Sequence, residues 1–261
     1  MSELTRDSKA RLLADDLVDW PKRLAFERSL ILRVLADAPS KRVLDLGCAT
    51  GRHARFLAEQ GCEVVAIDAS ETALERARRD PVPTGVEFLL GEIGAVERSV
   101  RGHFGAAFCL GNTLPYLLSA ESVSRMLVGL KRRLLPGAPL LLQTLNYDRV
   151  FSGQNRALPL EFVPGTPGSL APDSELVVVR VVEPQEDGIV ILTTSVLRYR
   201  PTVVPAMELV DTRATQLRGW KSHELRVMLE VARLPPREVY GDMQGAPFDP
   251  HESRELVMIA G

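Results

Sequence analysis

Cysteine is scarce in this chain. Cys48, Cys62 and Cys109 are the only three, their spacing matches no zinc site, and an odd number without an export signature predicts free thiols in a reducing compartment. The four histidines, His53, His103, His223 and His251, show no metal-ligand spacing among themselves. Only His53, just past a glycine-rich turn, is a candidate for a ligand-facing ring. No apolar run approaches the ~18–20 residues of a membrane span. Residues 1–16 are charged where a signal peptide would be apolar, so the expected location is the cytoplasm. Positive charge is not in surplus either: 32 Lys and Arg face 34 Asp and Glu, a net charge of −2. Nucleic acid, which requires clustered cations, is therefore not an expected partner. The run Lys131-Arg132-Arg133 falls at a predicted helix end, where cations meet the negative end of the helix dipole. There is no G-x-S-x-G nucleophile elbow, no internal repeat and no low-complexity segment.

What remains is an ordinary globular composition, 45% hydrophobic and 25% charged over 261 residues, enough for one large domain carrying an extra lobe. Short apolar runs at 42–46, 62–67, 86–90, 106–110 and 139–144 alternate with helical stretches at 51–59, 70–79 and 121–135. In the last of these, Val123, Met126, Leu127, Leu130 and Leu134 share one helical face. Apolar strands separated by helices predict a parallel sheet covered on both faces. The pattern then changes: 153–220 begins rich in proline and glycine. It continues with β-type runs at 175–182 and 189–199 joined by Glu186-Asp187-Gly188, and a third at 207–217. A helix at 223–232 capped by Ser222 and two strands, 238–240 and 255–260, complete the unit. The expected fold is a Rossmann-like, doubly wound α/β sheet of seven strands, the last antiparallel. One domain spans 1–261, with 1–38 as a helical lid and 153–220 as an inserted antiparallel β lobe.

Gly47-x-x-x-Gly51 leaves the first strand and Asp68 ends the second. In open α/β sheets ligands bind beyond the carboxyl ends of the strands. A glycine there admits close approach, and an acid roughly 20 residues on can accept both hydroxyls of a ribose. A dinucleotide fingerprint, G-x-G-x-x-G/A, would need small residues where this chain has Ala49 and Arg52. Arg52 is poorly suited to a pyrophosphate at the helix start. A nucleoside joined to an amino acid, without phosphate, suits the loop better.

Val43-Leu44-Asp45-Leu46-Gly47-Cys48-Ala49-Thr50-Gly51 resembles the first motif of class I S-adenosylmethionine-dependent methyltransferases, with Ala49 where the family usually has glycine. Val65-Ala66-Ile67-Asp68-Ala69-Ser70 is similar to the second motif. Gly91-Glu92-Ile93 stands where the family places an acidic residue beside adenine. Phe108-Cys109-Leu110-Gly111-Asn112-Thr113-Leu114-Pro115 is similar to the fourth motif, beneath the methionine moiety, and Leu135-Pro136-Gly137 to the turn before the fifth strand. A narrower likeness, carried by Cys109 to Thr113, Asn146-Tyr147-Asp148 and Tyr240-Gly241-Asp242, is to the glycine/sarcosine N-methyltransferase-like group.

The resemblance implies S-adenosylmethionine as cofactor, held by Gly47, Cys48, Ala49, Gly51, Asp68, Ala69, Glu92, Ile93 and Leu110. Arg23, near Trp20, would meet its carboxylate. Asn112 and Tyr147 are the implied catalytic pair; Tyr116, Tyr147 and Tyr199 are candidates for substrate-side hydroxyls, with a packed tyrosine the favoured reading of any single one. Glycine-specific members carry an arginine just before Asn-Tyr-Asp; this chain has Leu145, which cannot pair a carboxylate. The expected acceptor is thus a small molecule with a nitrogen or oxygen nucleophile, other than glycine. Arg198 and Arg200 flank Tyr199 and are expected to face solvent. Self-association into a homo-oligomer stays open. So do two other readings: a non-catalytic S-adenosylmethionine-binding or assembly protein and, less favoured, an NAD(P) oxidoreductase.

Overall fold

A computed structural model describes residues 17–79, 81–153, 156–164 and 174–261. Helix α1 (Trp20–Ala36) starts behind Asp19, whose carboxylate accepts the Lys22 N–H, with Pro21 in the first turn where its missing N–H costs nothing. Then come β1 (Arg42–Leu46), α2 (Arg52–Glu59), β2 (Glu63–Asp68), α3 (Glu71–Arg79), β3 (Val86–Leu90), α4 (Val96–Ser99), β4 (Ala106–Cys109), α5 (Ala120–Arg133) and β5 (Leu140–Leu145). Short α6 (Tyr147–Phe151) leads into β6 (Glu161–Pro164), β7 (Glu175–Pro184), β8 (Ile189–Tyr199) and β9 (Met207–Arg218). Helix α7 (Ser222–Val231), β10 (Pro236–Tyr240) and β11 (Glu255–Ala260) follow.

The main sheet runs β10-β11-β5-β4-β1-β2-β3. Strand β11 is antiparallel to both neighbours, and the pairings among β1 to β5 are parallel. This is the expected seven-stranded arrangement. Side chains alternate across it: Val43 joins the core under α1, α2 and α3, while Leu44 and Leu46 join the core under α4, α5 and α7. Both faces are thereby dry, which is why the strands read as nearly continuous apolar runs.

Strands β6 to β9 form a separate antiparallel sheet in that order, and they fall between β5 and α7 in the chain. Three of its strands follow the expected runs; β6 was not foreseen, being exposed and ending on Pro164. Helix α7 begins one residue early, so Ser222 is its first residue rather than its cap. Asp148 Oδ2 accepts the Ser222 N–H at 2.9 Å.

Candidate functional site

A cavity of about 1540 Å³ opens at the carboxyl ends of β1, β4 and β5. Its floor is the loops after β1 and β4, one wall is the start of α1, and its roof is the inner face of the β lobe.

The loop after β1 turns through three positive φ values, at Gly47 (73°), Ala49 (49°) and Gly51 (79°). Gly47 allows no substitution without movement, because a Cβ would stand 2.2 Å from Thr113 Cγ2. The loop is pinned from below by Asp68, which is fully buried. Asp68 accepts the Ala49 N–H at 2.8 Å and the Ser70 N–H at 2.9 Å. Ser70 Oγ in turn accepts the Ala73 N–H, capping α3. Deeper still lies Asp45, pushed up to about 6 by burial, by Asp68 nearby and against the pull of His53. Its Oδ2 has no hydrogen-bond partner among the described residues.

Helix α1 brings Glu27 into this region. Glu27 is 2% exposed, binds His53 Nε2 at 2.7 Å and accepts the Arg23 Nε–H at 2.8 Å. Burial pushes its carboxyl up, but His53 and Arg23 together hold it below its ordinary value. Trp20 meets the His53 ring edge-on, 5.3 Å between centroids, and the Arg23 guanidinium lies 5.1 Å above Trp20. That guanidinium leans over Gly111: a Cβ there would lie 3.3 Å from Arg23 Nη2.

Gly111 (φ 68°) and Asn112 (φ 62°) form the second loop. The Gly111 N–H donates to Gln143 Oε1 at 2.8 Å. Asn112 Oδ1 accepts the Leu145 N–H at 3.0 Å, and its Nδ2 donates to the Tyr147 hydroxyl at 3.1 Å. Asparagine is among the few residues that take such a backbone readily. Tyr147 itself is wholly buried, and burial raises its hydroxyl pKa, with Asn112 opposing. Glu255, on β11 opposite Leu145, borders the cavity. Burial lifts its carboxyl pKa despite a hydrogen bond to Gln143 and the field of Arg23.

Of the residues singled out in the sequence, Arg23, Gly47, Cys48, Ala49, Ala69, Leu110, Asn112 and Tyr116 border the cavity, as does His53. Gly51, Asp68 and Tyr147 stand behind its surface, and Glu92 and Ile93 lie beyond it at the end of β3. The β3 end is tied to Asp68 by the Gly91 N–H on the Asp68 carbonyl at 2.9 Å. Tyr199 lies outside the cavity wall, and Arg198 and Arg200 both bind Glu208. Of the expected lid, residues 1–16 fall outside the described residues. The sequence reading missed Glu27, Gln143 and Glu255, which belong to no motif and meet only through the fold.

Residues 43–137 match the family model for a methyltransferase domain. Over that stretch the chain is similar to class I S-adenosylmethionine-dependent methyltransferases. Its cofactor class is accordingly S-adenosylmethionine, and the residues present suit it. The floor has no side chain at Gly47 or Gly111, and Arg23 offers guanidinium N–H groups directly over Gly111. The chain is 32% identical over 143 residues to the glycine/sarcosine N-methyltransferase of Parasynechococcus marenigrum (strain WH8102), covering 53% of this chain and 50% of that protein. The chain thus spans about half the length of the curated relatives it matches. Among solved structures, the CcbJ methyltransferase from Streptomyces caelestis is 26% identical with a TM-score of 0.68, over 90% of this chain and 88% of that one. CalS10, an amino pentose methyltransferase from Micromonospora echinaspora involved in calicheamicin biosynthesis, shares the fold throughout both chains (TM-score 0.70, 16% identity). No helix among the described residues is long and apolar enough to cross a membrane.

Proposed function

We propose that this chain transfers a methyl group from S-adenosylmethionine to the nitrogen or oxygen of a small molecule other than glycine, in the cytoplasm. The observation that carries this reading is the cavity. At about 1540 Å³ it exceeds the ~300–1,000 Å³ usual for one small ligand, which leaves room for an acceptor larger than an amino acid beside the cofactor.

Bound cofactor supplies a methyl group activated on a sulfonium. The chain's own part is to bind, align and exclude water. Arg23, braced by Glu27, pairs the methionine carboxylate above Gly111. The loop from Gly47 to Gly51 follows the nucleoside, Asp68 and Ala69 hold the ribose side, and Glu92 and Ile93 the adenine. Leu110 and Asn112 flank the transfer point, with Asn112 fixed by Leu145 N–H and Tyr147. A neutral amine needs no base once desolvated, whereas a hydroxyl needs one. The test is a thermal-shift titration with S-adenosylhomocysteine, then radiolabelled methyl transfer to amines and hydroxyl compounds, with glycine alongside. Transfer to a larger amine or hydroxyl compound and none to glycine is expected. Efficient glycine methylation would overturn the acceptor assignment.

A further inference from the structure

The roof of the cavity carries a feature that cofactor binding does not use. Arg180 on β7 pairs in register with Thr194 on β8, and Thr194 with Arg213 on β9. The three side chains therefore form one row across the sheet, on the face that lines the cavity. On β7 and β8 the neighbouring rows are apolar, Val178 with Val196 and Val182 with Leu192, and on β9 they continue to Asp211 and Thr215. Two guanidiniums and a hydroxyl thus stand side by side on this face, with side-chain exposures of 16% and 13% for Arg180 and Arg213 and a residue exposure of 6% for Thr194.

Each arginine has a carboxylate at one side. Arg180 Nη1 binds Glu161 Oε1 at 2.6 Å, and Arg213 Nη1 binds Asp211 Oδ2 at 3.0 Å, both acids being more exposed than their partners. These pairs leave donors over. Arg213 Nη2 is buried and has no hydrogen-bond partner among the described residues. Burial depresses the Arg213 guanidinium pKa below the usual arginine range, Arg180 depresses it further, and Asp211 and Tyr116 offset part of this. Two cations held near each other in a low-dielectric wall, one with an idle N–H, gain most from a shared anion. Tyr116 belongs to the turn that follows Asn112, so the row faces the transfer loop across the cavity.

We propose that Arg180, Thr194 and Arg213 form a docking site for an oxyanion, carboxylate or phosphate, carried by the methyl acceptor. Planar guanidiniums offer forked donors that match such groups, and the Thr194 hydroxyl adds a third donor between them. The inference rests on reading the cavity as an acceptor site and names the acceptor's charge. It requires no change in the cofactor contacts.

The test is calorimetric titration of the full chain, with and without S-adenosylhomocysteine, using inorganic phosphate and, separately, acetate. Saturable binding of at least one anion is expected, weakened about tenfold or more in Arg213→Gln and in Arg180→Gln. Arg125→Gln, the same charge change at an exposed site on α5, should leave it unchanged. The tighter of the two anions distinguishes a phosphate-bearing from a carboxylate-bearing acceptor. Thr194→Val, checked for folding by circular dichroism, gives a second reading that spares both ion pairs, and weaker anion binding is expected there too. No saturable binding of either anion, or equal binding in Arg213→Gln and Arg125→Gln, overturns the proposal. Failure to bind S-adenosylhomocysteine sinks the methyltransferase reading instead, since the anion titration without it stands separately.

Discussion

Ala49 holds a left-handed backbone, φ 49°, that costs an L residue about 1–2 kcal/mol. Ala49→Gly removes the strain but loosens the unfolded chain, so a net gain of about 0.5–1 kcal/mol is expected in urea denaturation. Asp45 gives a pH dependence. Its folded value of about 6 lies above the ordinary 3.8, so the native chain binds this proton more tightly than the unfolded one. Its contribution to stability therefore falls as pH rises between those values and stays lost above them. Asp45→Asn does not titrate, and its advantage over the wild type should widen by about 2 kcal/mol from about pH 4 to about pH 7. Denaturant midpoints at the two pH values check this; an equal gap at both would rule it out. Asp68→Ala frees the Ala49 and Ser70 amides as well as the ribose side. Calorimetry should show S-adenosylhomocysteine binding weakened about tenfold or more, and unchanged affinity would remove Asp68 from the cofactor site.

Helix α1 is fastened to the rest of the site through Glu27, which joins Arg23 to His53. Glu27→Gln leaves that pair without its charge. A loss of about 2–3 kcal/mol is expected, below the cost for a wholly enclosed pair because Arg23 is partly exposed. Urea melts of Glu27→Gln beside Arg28→Gln on the same helix measure it. Elements such as this one show where the sequence could be read. Strand β1 and its glycine turn are local features, written in consecutive residues, and their bounds and their place on the cavity floor follow from them. Glu27, Gln143 and Glu255 come from three distant segments and share no spacing, so only the folded sheet brings them together. Strand β6 is equally silent, since its pairing with β7 is set by a distant partner and not by its own periodicity. Tyr147 reads as a hydroxyl in a motif. The turn into α6 sends its ring inward, because Val182 and Val190 of the lobe offer it an apolar pocket.

For the molecule as a whole, a ligand that binds only the folded chain must raise its melting temperature. S-adenosylhomocysteine at about 100 times its dissociation constant adds about 2.7 kcal/mol, or about 5–10 °C for a chain of this size. The absence of any shift would remove the cofactor assignment. The same global view gives the Tyr147–Asn112 hydrogen bond a wider meaning. The lobe is rooted on α6: Gly219 at the end of β9 packs so closely on Tyr147 and Phe151 that a Cβ would stand 2.6 Å from each ring. The phenol that packs under the lobe's base is also the one that accepts the Asn112 Nδ2–H of the second loop. Roof and floor therefore share one side chain, and a substitution at Tyr147 would disturb the footing of both at once.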